Sequence, residues 1–359
     1  MDRMKHQIKR LALGVVTVGA CVGAGSDGGT PEWHLAATMQ RSGAEALLQA
    51  VSPVTDDVVW VSGHEATYAR TLDGGRTWEP DVVPSARGLQ FRDVAAFDAE
   101  TAYLMSAGPG ERSRIYRTDD GGISWDLQFT AEEPDAFFDC MDFWSPERGL
   151  LYGDAVDGVP FLLRTDDGGA TWSRVPAAAL PVALEGEGGF AASGSCLVAG
   201  SSGNAWVAMG NGDRARILMT TDYGVSWAVT EPPVVGGAAS GLTTIQMASN
   251  GVGVALGGVI GNDSIRSRNV AVTTDNGVSW QEGGSLTMAG PVYGSALVPG
   301  TDGIVVAVGP RGMDWTTDFG RTWLAADTLT YWAVAYSSAD AGWAVGPGGR
   351  IAKLVVAER

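Results

Sequence analysis

Lysine, histidine and cysteine are all scarce in this 359-residue chain. Lysine occurs only as Lys5, Lys9 and Lys353, so beyond the N-terminus nearly all positive charge rests on arginine. Acidic residues outnumber basic ones 41 to 24, giving a formal charge of −17. Such a chain is a poor phosphate neutraliser, and nucleic acid is excluded as a partner class. The three histidines (His6, His34, His64) and three cysteines (Cys21, Cys140, Cys196) are too few and too scattered for zinc or haem spacing, so neither a metal nor a cofactor is expected. A Gly-x-Ser-x-Gly nucleophile elbow is missing, and the run Ser193-Gly194-Ser195 does not supply one. The glycine pairs sit in hairpin turns and not between a strand and a helix, which excludes a nucleotide loop.

Long apolar runs are absent as well. Residues 11–20 form one of about half the length a spanning helix needs. They follow Arg3, Lys5, Lys9 and Arg10, and a basic start before a short apolar run reads as an export signal over residues 1–20. The run ends in Val18-Gly19-Ala20-Cys21, which resembles a bacterial lipobox with Cys21 as the lipidated new N-terminus. Val18 stands where leucine is commoner. An ordinary signal peptide and a secreted soluble protein is the alternative. Removing residues 1–20 takes away a net +3, leaving a mature chain of about −20. Residues 21–30 read as a flexible linker, and 31–357 as one domain. Export permits a disulfide, but two remaining cysteines are no framework. Two buried apolar thiols at Cys140 and Cys196 are the expectation, with a bridge as the alternative.

What is abundant is glycine, 51 residues, and tryptophan, 13. With only 18% charged residues, that mixture suits short strands and tight turns. One motif, Thr-x-Asp-x-Gly-x-Ser/Thr-Trp, occurs six times, at 71–78, 118–125, 165–172, 220–227, 273–280 and 316–323. Its tryptophans lie 47, 47, 55, 53 and 43 residues apart, the period of a four-stranded propeller blade. The aspartates (Asp73, Asp120, Asp167, Asp222, Asp275, Asp318) can accept backbone N–H bonds within their own turns. The glycine two residues on supplies a positive φ, the Ser/Thr hydroxyl closes the turn, and the tryptophan (Trp78, Trp125, Trp172, Trp227, Trp280, Trp323) opens the next strand and buries a ring. These roles are structural, with no catalysis in them.

Apolar strands ending in glycine precede each motif, giving the order inner, second, third, turn, outer. Six blades then begin near residues 46, 90, 136, 190, 241 and 291. A seventh starts at Tyr331 and ends before any motif, while residues 31–37 (PEWHLAA) look like an orphan outer strand. Pairing the two predicts an all-β, seven-bladed propeller closed by its N-terminal strand. Six blades with loose termini is the alternative.

The repeat is that of the Asp-box, or bacterial neuraminidase repeat. With its WxxG…RTxDGGxTW register and short loops, the chain resembles the photosystem II stability and assembly factor family and its bacterial relatives over residues 31–357. The resemblance implies a non-enzymatic partner of membrane-bound photosynthetic complexes. It points here to an extracytoplasmic, membrane-anchored lipoprotein that binds a protein partner beside a photosynthetic or redox complex. Sialidases and some glucanases also carry Asp-boxes, so a glycoside hydrolase is the rival reading. An Arg-Ile-Pro signature ahead of the first motif is missing, and no catalytic carboxylate pair is identified. The nearest acidic group is Asp135, Asp139 and Asp142, read as turn and strand-edge carboxylates.

Arginine marks the candidate binding face. The pairs Arg112/Arg114, Arg214/Arg216 and Arg266/Arg268 recur where third strands begin, and a spacing of two places both members on one strand face. Arg92, Arg311 and Arg350 join them on the side opposite the aspartate turns. Bidentate donors there suit the carboxylates of a partner. Glu111, Asp213 and Asp263 stand close enough to neutralise them.

Overall fold

A computed structural model describes residues 32–266 and 268–358. They form seven four-stranded antiparallel sheets arranged as a ring: a seven-bladed β-propeller. Blade one is Leu48–Pro53, Val59–Gly63, Thr67–Thr71 and Glu79–Val82, running from the axis outward. Blades two to six repeat that order from inner strands Gln90–Ala96, Phe138–Ser145, Leu197–Ala199, Ser240–Met247 and Gly294–Leu297. The fourth blade thus starts at Leu197, later than the expected 190.

Blade seven takes Ala333–Ser338, Ala341–Gly346 and Arg350–Glu358 from the C-terminus and Trp33–Arg41 from the N-terminus. The closing pair runs without a break from Trp33 opposite Glu358 to Arg41 opposite Arg350. Seven blades with shared termini replace the six-bladed alternative. The signal segment and Cys21 lie outside the described residues.

The core is spread around the ring, because each sheet buries both faces against its neighbours. One apolar cluster joins blades one and two through Trp60, Phe91 and Tyr116, and another joins blades two and three through Tyr103, Phe138 and Phe161. A third lies across the closure, where Leu48, Val59 and Trp78 of blade one meet Trp343, Val345 and Ile351 of blade seven. Burial on both faces explains why the second strands read as continuous apolar runs.

The six motif turns share one bonding scheme. In the first, Thr71 Oγ1 donates to Asp73 Oδ1 (2.9 Å) and accepts from Gly75 N–H (2.9 Å). Asp73 also accepts from Thr77 N–H (2.8 Å) and Oγ1 (2.7 Å). Those bonds from Thr77 hold the Asp73 carboxyl down at about 2, and the Ser226 hydroxyl and N–H hold Asp222 there likewise. Two successive residues of each turn take positive φ, and the first of them is not always glycine. Tyr223 (+60°), Asn276 (+64°) and Phe319 (+54°) occupy it in blades four to six.

Cys140 and Cys196 are joined in a disulfide, which corrects the expectation of two free thiols. Cys140 lies on the inner strand of blade three and Cys196 precedes that of blade four. Adjacent inner strands bring their Cα atoms to 5.9 Å, within the reach of a bridge.

Candidate functional site

Antiparallel order puts the starts of the inner and third strands on one face of the ring and the aspartate turns on the other. The arginines do stand on the first face, but the structure divides them. Arg112 ends a short 3-10 turn (Gly110–Arg112), is exposed and donates to Gly88 O (2.7 Å). Arg114, half-buried, donates through Nε to Glu111 O (2.6 Å) and through Nη1 to Tyr116 Oη (3.3 Å). Arg266 and Arg268 are exposed, and among the described residues neither has an ion-pair partner. Arg214 is exposed but paired with Glu231 (3.1 Å) and Asp213 (3.7 Å), and Arg311 pairs with Asp263 (3.6 Å).

Arg216 departs from expectation altogether. It is buried, with Nε donating to Glu187 Oε1 (2.6 Å), Nη2 bonded to Glu187 Oε2, and Nη2 also donating to Val182 O (3.1 Å). Arg214 faces water while Arg216 faces the interior, so that pair does not share a face. Arg112 belongs to a turn and Arg114 to the strand Arg114–Thr118, while Arg266 and Arg268 both precede Val270–Thr273. Twofold strand spacing therefore applies to none of them. Arg92 stands on an inner strand, half-buried, and donates to Gln90 Oε1 (2.6 Å) and Ala191 O (3.2 Å). Arg350 donates to Thr330 O (2.6 Å) beneath the Tyr331 ring. Among the described residues Arg92, Arg112, Arg114, Arg266, Arg268 and Arg350 have no carboxylate ion-pair partner. Arg92 and Arg350 are spent on Gln90 and backbone carbonyls, which leaves Arg112 and Arg114 on blade two with Arg266 and Arg268 on blade five as the candidates.

Between those blades the axis is closed. The chain from Arg174 to Leu197 is far longer than a blade connection needs, and residues 188–195 cross the channel. Gly188 pairs with Gly210 of blade four. Ala191 O accepts from Gln49 Nε2 of blade one (2.9 Å) and from Arg92 of blade two. Ser195 Oγ meets Thr244 Oγ1 of blade five at 2.8 Å. A segment bonded to blades one, two, four and five must lie over the axis. The 55-residue interval between Trp172 and Trp227, the longest in the chain, is its trace in the sequence. Sequence reasoning saw the interval and the Ser193-Gly194-Ser195 run but did not join them.

Under the plug lies an axial cavity of about 460 Å³, walled by inner-strand residues of all seven blades, among them Ser52, Asp93, Asp142, Gln246, Ser295 and Tyr336. Its carboxylates stitch one blade to the next. Asp93 accepts from Met141 N–H (2.7 Å) and Val94 N–H (2.8 Å), and Asp142 from Ala199 N–H (2.7 Å) and Phe143 N–H (2.8 Å). Burial pushes the Asp142 carboxyl up to about 6, and pushes Asp93 well above the ordinary range. Asp139 is buried at the other end of the same strand, beside Asp154, and Asp135 is exposed. The three acids of the sequence thus do not converge on one opening. Among the described residues no group of His, Cys, Asp or Glu is placed to hold a metal ion, and no helix is long and apolar enough to cross a membrane.

Neither a protein-family model nor a curated protein matches the chain. Solved structures do. A structure described as YCF48 bound to D1 peptide is 18% identical with a TM-score of 0.61, covering 92% of this chain and 98% of that one. YCF48 from Cyanidioschyzon merolae is 15% identical with a TM-score of 0.63, covering 89% and 98%. The GH74 xyloglucanase from Xanthomonas campestris is 16% identical with a TM-score of 0.61, covering 90% of this chain but 53% of that one. At these identities the likeness is one of fold: the chain is a propeller resembling YCF48 and also a glucanase propeller.

Proposed function

We propose that this propeller is a non-enzymatic docking protein, an assembly or accessory factor for a membrane-bound photosynthetic or redox complex. The observation that carries the reading is the group Arg112, Arg114, Arg266 and Arg268, which have no carboxylate partner among the described residues and are held by rigid blades on the face opposite the aspartate turns. Loops on a rigid scaffold are where recognition collects, and guanidinium groups on an acidic protein suit carboxylates on a partner. The likeness to YCF48, one structure of which holds a D1 peptide, supports a protein as the partner. The repeated motif supports membership among the Asp-box propellers. Lipidation at Cys21 would hold the ring beside its membrane, and the Cys140–Cys196 bridge suits an oxidising, extracytoplasmic compartment.

The glycoside hydrolase reading is favoured by one observation, the glucanase likeness. It requires an open pair of carboxylates flanking a substrate, whereas Asp93 and Asp142 each spend both oxygens on backbone N–H groups.

Affinity capture from detergent-solubilised membranes, with mass spectrometry of both bait and prey, tests the proposal. The expected result is an acylated N-terminus at Cys21 and enrichment of one membrane complex. Capture of no membrane protein, together with release of sugar from polysaccharide, would replace this reading with the hydrolase one. An unmodified N-terminus beyond residue 21 would remove the anchor alone.

A further inference from the structure

The plug is seated on carboxyl groups, and it is seated by glycines. Gly188 lies against Asp154, Gly189 against Asp139 and Gly194 against Asp93. A Cβ at Gly189 would lie 2.5 Å from Asp139 Oδ2, and a Cβ at either of the other two would collide with its carboxylate oxygen. One N–H secures the seat, Gly189 donating to Asp154 Oδ1 at 3.0 Å. Among the described residues Asp139 Oδ2 is buried with no hydrogen-bond partner, and so is the neighbouring Tyr152 hydroxyl. Little cationic charge reaches this place. Arg216 is committed to Glu187, and Arg92, itself half-buried, is divided among Gln90, Ala191 and the field of Asp139. On the blade-one side His64 is held by Gln49 at 2.9 Å and faces Arg92.

We infer that residues 188–195 form a proton-latched plug, seated across the axis while Asp139 and Asp154 share a proton and released when both ionise. Two adjacent carboxylates, Asp139 buried and Asp154 half-buried, cannot both carry charge without strong repulsion, so the pair titrates as a unit. With one proton between them a hydrogen bond joins the two and the glycines pack onto a singly charged pair. Without it, the second negative charge is relieved by admitting water, and the segment lying over the pair is what must move. Its remaining ties are the Gly188–Gly210 bridge, the bonds from Asn211 Nδ2 to Gly189 O (3.4 Å) and from Ile245 N–H to Ser195 O (3.1 Å), those to Ala191 O and the Ser193–Ser195–Thr244 hydroxyl chain. The segment would move as a loop between two fixed ends, the buried Glu187–Arg216 pair and the Cys140–Cys196 bridge. Release would join the axial cavity to the arginine face.

The direction follows from the shifts. Burial, then the neighbouring Asp154, raises the Asp139 carboxyl well above its ordinary value, and burial raises Asp154 too. Asp93, under Gly194, shifts the same way by burial. A carboxyl with a raised pKa binds its proton more tightly in the seated state. Seating is therefore strongest at and below the ordinary carboxyl range and weakens as pH rises through the raised values.

Hydrogen exchange across pH 5 to 8 on the intact ring, corrected for intrinsic rates, tests the latch. Protection of the peptide covering residues 187–196 should fall about tenfold or more relative to the inner strands as pH rises, the change that one unit of differential pKa produces. Asp139→Asn retains a hydrogen-bond donor toward Asp154 but cannot ionise, and should flatten the profile, as should Asp154→Asn. A wild-type plug whose protection tracks the blades at every pH would overturn the inference, whether or not either variant folds. Folded variants that keep the wild-type profile would overturn it equally.

Discussion

Arg214 and Arg216 stand two residues apart in one tripeptide, yet the chain puts them in opposite environments. Arg214 is about half exposed, with Glu231 and Asp213 beside it in solvent, where screening leaves an ion pair worth little. Arg216 and Glu187 are buried together, with side chains 7% and 1% exposed. Removing one member of such a pair strands the other's charge. Glu187→Gln should therefore destabilise the ring by about 3–5 kcal/mol, while Arg214→Ala should change stability by no more than about 1 kcal/mol. Urea unfolding of both variants checks the contrast, and equal midpoints would refute it. Single residues also mark where the sequence was silent. An Arg-x-Arg pattern cannot reveal which arginine meets Glu187, because that partner arrives from the connection just ahead of the plug, outside the repeat. The turn aspartates were legible for the opposite reason: every partner of Asp73 lies within four positions of it.

At the scale of strands, local bonding made the outer three strands of each blade readable, since each is set by the turn that precedes or follows it. The closing strand was readable too, because Trp33 copies the tryptophan that opens other outer strands. The start of blade four was misjudged by seven residues because residues 188–195 are apolar and small, like an inner strand, but are spent on the axis. Trp33–Arg41 pairs along its whole length with Arg350–Glu358 and packs Leu35 and Ala37 against blade six. Deleting residues 1–41 should expose a nine-residue edge and an apolar flank, so the ring should aggregate and lose its cooperative melt. Calorimetry and light scattering report both effects. A truncated protein that melts like its parent would mean that the closure contributes nothing to the ring.

For the whole molecule, the ring was legible and the use of its faces was not, since a period fixes how blades follow one another and leaves open what their loops hold. Two faces with different chemistry result. The turn face exposes aliphatic tips at Ile123 (90%), Val225 (60%) and Val278 (63%) among aspartates held ionised by their own turns. The opposite face carries the arginines, arranged on blades two and five at opposite sides of a plugged axis. A partner touching both would span the mouth of the channel. The measurement that bears most directly on this account is the affinity of the captured membrane partner, taken across a salt series, for wild type and for R112E/R114E/R266E/R268E. The account predicts a folded variant whose affinity falls about tenfold or more at low salt and whose salt dependence is flatter than wild type, because exposed guanidinium–carboxylate contacts are screened. Unchanged affinity in the folded variant, with capture lost instead on placing aspartate at Ile123, Val225 and Val278, would contradict it.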